Sequence, residues 1–331
     1  MPASISDQAQ ARVRVFLALF LLWLAGNALR LTILAVPPVI PLIHDGLRLS
    51  ATQVGILTGL PSVLRAAAAV PGSLIVAKLG VRWALVVGLL ATAIGGALRG
   101  LFPDVGWLYA MTIATAAGVA IMQVTMPSAV RAWVPDRIAF ATAVYTNGLL
   151  IGEVIPVALM LPFVVPLVGN WQWGFVVFSV PVAIIALIVA AFAPKPATAA
   201  GAPVRRRWWP DWRNHLIWRL GFMLGTVNAV YFSTNAFIPD YLRGHGQGEW
   251  IRAALTGLNA GQLPASAVLL LFPSRLQLKA WPIIAVGVFS VIATLGIVFG
   301  NGAIVVAAAS LQGFASAAIL VLLLALPPLL S

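Results

Sequence analysis

Residues 72–82 read Gly72-Ser-Leu-Ile-Val-Ala-Lys-Leu-Gly-Val-Arg82. The stretch lies between two long apolar runs, roughly 54–76 and 83–102. Glycine reaches positive φ without the Cβ clash that other residues suffer, so Gly80 is the natural place for a tight reversal. Lys78 and Arg82 flank it, and such cations collect where a hydrophobic helix leaves the bilayer on its cytoplasmic side. Two membrane-crossing helices joined by a short basic turn are therefore predicted.

The composition extends that reading to the whole chain. Of 331 residues, 61% are hydrophobic and only 8% charged, with a mean hydropathy of +1.01. A soluble chain carries about 45–50% apolar and about 25% charged residues. The expected fold class is thus all-α, a polytopic membrane helix bundle. The absence of cysteine rules out disulfides and thiolate metal sites. His44, His215 and His245 are far apart in sequence and form no ligand pattern.

A helix needs about 20 apolar residues to cross the hydrocarbon layer. Ten stretches qualify, at roughly 14–37, 54–76, 83–102, 107–127, 139–167, 172–193, 216–238, 251–272, 282–299 and 303–326. With the N-terminus in the cytoplasm, 14 Lys and Arg residues fall on the inner side. Four (Arg48, Arg99, Arg243 and Arg252) fall outside, and Arg30 and Arg65 remain within the membrane. This sorting accounts for the +12 net charge as topology and removes nucleic acid as a partner. The organisation read from it is an N-terminal six-helix bundle (1–193), a cytoplasmic linker (194–214) and a C-terminal bundle (215–331). The linker is rich in Pro, Ala and Arg, and its Trp208, Trp209 and Trp212 suit the headgroup zone.

The 72–82 loop resembles the signature loop of the major facilitator superfamily, matching it at Gly72, Lys78, Gly80 and Arg82. The family's acidic position is Ala77, so the usual charge-pair latch lacks its acid. Further stretches are similar to the cyanate-permease and nitroimidazole-exporter branch, near the nitrate/nitrite porters. They are Asn27-Ala-Leu-Arg30, Val36-Pro-Pro-Val-Ile-Pro-Leu-Ile43, Gln123-Val-Thr-Met-Pro127, Arg131-Ala-Trp-Val-Pro135 and Ala141-Thr-Ala-Val-Tyr-Thr-Asn-Gly148. The resemblance implies two six-span halves rocking about a midplane site, with spans one, four, seven and ten lining the cavity. It also implies that spans eleven and twelve are absent from this sequence.

Ionisable groups in the bilayer are expensive and face a bundle interior or a cavity. Arg30, Arg65 and Glu153 are the three candidates, and their sum leaves one positive charge that invites an anion. Arg30 is the expected substrate anchor, because a guanidinium fork suits planar oxyanions and Asn27 shares its helical face. Glu153 is expected to neutralise Arg65 or to carry a coupling proton. Gln123, Gln262 and Gln312 are further candidate lining residues. Asn228, Tyr231 and Asn235 recur at i, i+3 and i+7, so they form one stripe. Each of these is equally compatible with polar contacts that bind helices together.

No nucleotide loop, Ser/His/Asp set or metal cluster is present in the sequence. The expectation is a secondary transporter, not an enzyme, without cofactor. It would be monomeric in a bacterial inner membrane, with a small anionic or polar substrate and the lipid bilayer as partners. The rival readings are a non-transporting or inactive membrane protein and a ten-span carrier of the drug/metabolite type.

Overall fold

The computed structural model describes residues 5–194, 213–265 and 279–325. The described residues fold into helices: α1 (Ile5–Leu31), α2 (Ile40–Leu47), α3 (Ala51–Ala67), α4 (Ala69–Leu98), α5 (Val105–Trp133), α6 (Ile138–Leu159) and α7 (Val165–Val168). They continue with α8 (Trp171–Phe192), α9 (His215–Gly244), α10 (Ile251–Ala260), α11 (Ala280–Phe299) and α12 (Ala303–Ala325). Among the described residues, seven segments are long and apolar enough to cross a membrane. The shorter α3 and the more polar α9 fall outside that set but lie in the same bundle. The expected linker, apart from Pro194, Arg213 and Asn214, lies outside the described residues, as does the end of the 251–272 stretch.

Local chemistry sets the element ends. Ser50 and Gln53 form a reciprocal capping box at the start of α3, with bonds of 2.7 and 3.2 Å. Asp104 caps α5 by accepting from the Trp107 N–H at 2.7 Å. Asn170 and Asn214 cap α8 and α9 in the same way. At Gly80 the chain takes φ 72° and ψ 166°, which interrupts α4 between the second and third apolar stretches. Arg82 donates to the Ala190 carbonyl, tying this turn to the end of α8.

Two stretches differ from their sequence reading for reasons of proline chemistry. The first, expected to run to residue 37, ends its α-helix at Leu31; Pro37-Pro38 then starts a 3-10 turn and the short helix α2. Arg30 therefore sits in the last turn of α1 instead of mid-helix. The fifth continues past Leu159 through a π-helical segment, Met160–Val164, into α7. Pro162 has no N–H to give, and the wider π ladder passes the missing donor without breaking the span.

The main core joins α1, α4, α5 and α8 through residues such as Leu21, Leu22, Leu89, Met122, Phe175 and Val182. A second core unites α9, α10 and α12 through Tyr231, Leu242, Leu255, Leu258 and Val305, and it also takes in Leu34 and Val157. Large apolar side chains such as Phe16, Leu187, Ile284 and Phe299 face outward. An exterior of this kind is stable against lipid and unstable against water. Glycines let α1 and α6 touch: a Cβ on Gly26, Gly148 or Gly152 would collide with backbone of the facing helix. Trp23 adds a 3.1 Å bond to Asn147 across the same seam.

Candidate functional site

The α1–α6 seam carries the central polar feature. Arg30 Nε lies 3.1 Å from Glu153 Oε1, with side chains 11% and 2% exposed. The Arg30 guanidinium also stacks 5.2 Å from the Phe232 ring centroid. The sequence reading has Glu153 neutralise Arg65 or carry a coupling proton; the structure brings Arg30 to its Oε1, and the Arg65 side chain lies outside the described ones.

From Glu153 the network crosses to α9 and α10. Gln262 Nε2 donates to Glu153 Oε2 at 2.5 Å, and Tyr231 Oη lies 3.0 Å from the same oxygen. Tyr231 Oη is also 2.6 Å from Asn259 Oδ1. Asn259 in turn donates to Asn235 Oδ1 and to the Leu255 carbonyl, at 2.9 and 2.8 Å. Those two donations fix its amide with Oδ1 toward Tyr231. The tyrosine has one proton for two acceptors. Its oxygen also accepts from Gln262 Nε2 at 3.0 Å, so Gln262 bridges Tyr231 and Glu153.

The sequence candidates thus separate into three groups. Arg30, Glu153, Tyr231, Asn235 and Gln262 come together, joined by Asn259, whose lone position in an apolar run was its only sequence signal. Gln123 and Asn228 line a different space, a cavity of about 490 Å³ between α3, α5 and α9 that also includes Ser62, Val124 and Gly225. Asn27 and Gln312 join neither. Asn27 donates back to the Trp23 carbonyl at 3.0 Å within α1. Gln312 is bonded to Ser290 and Ser316, between α11 and α12.

The two ends of the bundle differ. At the end carrying Arg243, His44 Nδ1 lies 3.2 Å from Asp240 Oδ2, and Arg243 pairs with Asp45 at 2.6 Å. Arg243 also donates to the Pro41 carbonyl at 3.1 Å. These contacts fasten α2 to α9. No such ionic clasp is found among the described residues at the Lys78 end, where Lys78 is exposed.

One cation of the outer set is buried within the protein. Arg99, assigned outside, is 1% exposed at the end of α4. Its apolar flanks, Ala-Leu-Arg-Gly-Leu-Phe, were the available signal.

A model of the Major Facilitator Superfamily matches residues 14–330. An uncharacterised transporter of Bacillus subtilis (strain 168), YycB, is 25% identical over 229 residues, covering 68% of this chain and 56% of that protein. The cyanate transport protein CynX of Escherichia coli (strain K12) is 25% identical over 228 residues, 67% of this chain and 58% of that protein. The 2-nitroimidazole transporter of the same organism is 26% identical over 270 residues, 81% of this chain and 67% of that protein. The match thus spans less than two thirds of the first two relatives' length. Among solved structures, an inward-facing, unoccupied bacterial homologue of the human lysosomal transporter Spinster has a TM-score of 0.65 at 18% identity, covering 95% of this chain and 74% of its own. The nucleoside transporter NupG has a TM-score of 0.68 at 13% identity, covering 93% of this chain and 80% of its own.

Proposed function

Because the chain belongs to the Major Facilitator Superfamily, we propose that it is a secondary transporter moving a small anion or small polar organic molecule, of cyanate or nitrite size, by alternating access. The N-terminal bundle (1–193) and the C-terminal bundle (215–331) rock against each other, with the 194–214 linker and the Lys78 end in the cytoplasm of a bacterium. The state described is closed at the Arg243 end, and its polar cavity with Gln123 and Asn228 belongs to the inward path.

The observation that carries this reading is the Arg30–Glu153 pair and its extension to Tyr231 and Gln262. Breaking a buried pair by removing one partner costs about 3–5 kcal/mol, because a charge is left uncompensated. A substrate anion at Arg30 together with a proton on Glu153 compensates both charges at once. The net charge of the site is then unchanged, and the pair opens without a stranded ion. The single Tyr231 proton shared between Glu153 and Asn259 supports a carboxyl able to accept that proton.

The test is uptake of labelled cyanate and nitrite into proteoliposomes containing the full chain. Saturable accumulation driven by an inward proton gradient is expected, and Arg30→Ala should abolish it. Failure to observe either accumulation or exchange of any small anion would overturn the reading.

A further inference from the structure

We infer that Arg99 forms a second anion subsite at the closed, Arg243 end of the bundle, suited to a small monovalent anion.

Among the described residues Arg99 is the largest fully buried side chain. Its Nη1 donates to the Thr32 carbonyl at 3.1 Å, just beyond the end of α1. Phe175 lies against it, with the ring centroid 5.3 Å from Cζ. Neither contact uses the other edge: Nε and Nη2 are buried and have no hydrogen-bond partner. In a guanidinium these two nitrogens point their N–H groups the same way, which makes the bidentate fork that grips oxyanions. Among the described residues no carboxylate pairs with Arg99; the ionic contacts are Arg30–Glu153, His44–Asp240 and Arg243–Asp45. Arg30 is matched by Glu153, so among the described residues Arg99 is a buried cation with no carboxylate to balance it. A buried charge in this position is stable only when paired or solvated.

Arg99 lines a small, mostly apolar cavity, in which Thr58, Thr112 and Asn235 are the other polar residues beside Leu34, Leu57 and Phe232. Its volume is about 20 Å³, and about 10–15 Å³ suffices for one water-sized occupant. In this closed form the space admits a halide-sized ion. Its walls come from the segment that follows α1 (Ile33, Leu34, Val36 and Pro37), from α3, α5 and Arg99 at the end of α4, and from α9. Release of the His44 and Arg243 contacts lets α9 move and widens the space for a three-atom anion.

Two wall residues lead onward to the central network. Phe232 stacks on Arg30, and Asn235 accepts from Asn259. Arg99 is thus placed to receive an anion from the Arg243 side and pass it to Arg30. The relay to Arg30 rests on the transport reading above; the subsite itself rests on the free fork.

Two measurements on the full chain test it. The first is anomalous diffraction from crystals grown in sodium bromide, which should show a bromide peak beside the Nε–Nη2 edge. The second is thermal stabilisation by bromide and by nitrite, at ionic strength held constant with gluconate. Arg99→Lys keeps a charge that can still reach the Thr32 carbonyl but lacks the fork. It should weaken anion binding by about tenfold, equivalent to one charged hydrogen bond. A purely structural role would lower the melting temperature without changing the anion dependence. If Arg99→Lys does not fold, the bromide map of the unaltered protein decides. No peak at Arg99, or unchanged affinity in Arg99→Lys, overturns the subsite. Nitrite uptake by the same wild-type preparation then shows whether the transport reading stands without it.

Discussion

Arg30 on α1 and Glu153 on α6 form an ion pair at 3.1 Å, where Gly26, Gly148 and Gly152 bring the two helix backbones into contact. The pair is held in place from the other side of the bundle by Tyr231 and Gln262, which both reach Glu153 Oε2. One carboxylate therefore senses a cation within its own half and donors from the other half. Any motion that separates α6 from α9 and α10 changes the environment of Glu153 directly.

Arg30→Ala should destabilise the folded protein by about 3–5 kcal/mol, since Glu153 is left buried and unpaired. Arg30→Ala combined with Glu153→Gln removes both charges and should recover most of that loss. Thermal unfolding of the two variants in detergent measures the difference. Arg30→Lys keeps the charge without the planar fork, so substrate affinity should fall while folding is retained.

Gly152→Leu should separate α1 from α6. Even a Cβ at this position collides with the backbone of Asn27, and overpacking of this kind costs about 1–3 kcal/mol or more. The expected result is a lower melting temperature and loss of the Arg30–Glu153 contact. A leucine at Gly221, where a Cβ meets nothing within 4 Å, should be tolerated and serves as the control.

Much of the fold is legible in the sequence because the bilayer imposes a length and a polarity on every crossing. Gly80 marks its turn by the absence of a side chain, and seven of the apolar stretches contain described segments long and apolar enough to cross a membrane. What is not legible depends on rotation and neighbours. The contact of Arg30 with Glu153 depends on which face of α1 meets α6, which no residue count along the sequence gives. Arg99 is close in sequence to the end of its span, so counting charges by loop put it outside; only the packing of Thr32 and Phe175 around it reveals its burial. Gln312 reads like a cavity residue, yet Ser290 and Ser316 on its immediate neighbours take up its amide. Arg30 lies near the end of α1 because the helix stops at Leu31, before the 3-10 turn that Pro37-Pro38 open.

Arg243→Ala removes the bonds to Asp45 and the Pro41 carbonyl that hold α2 to α9. The Arg243–Asp45 pair is roughly half exposed, and pairs of this kind are worth about 0–1 kcal/mol. The closed population at this end should therefore fall by no more than about fivefold. Labelling of a cysteine introduced at Thr58, in otherwise unaltered and in Arg243→Ala protein, reports the change in access.

Protease added to inside-out membrane vesicles should cleave near Arg205, Arg206 and Arg207. The expectation comes from the Pro, Ala and Arg content of the 194–214 linker and from the charge sorting. Cleavage only from the opposite side would reverse the proposed orientation of every span.

The central claim is that an anion and a proton together open the Arg30–Glu153 pair. Its most direct measurement is simultaneous recording of labelled anion uptake and internal pH in proteoliposomes, for the wild-type chain and for Glu153→Gln. The account predicts that the interior acidifies in step with anion entry in the wild type. In Glu153→Gln, anion exchange should persist while proton movement and gradient-driven accumulation disappear. Anion entry into wild-type liposomes without acidification, or unchanged acidification in Glu153→Gln, would contradict it.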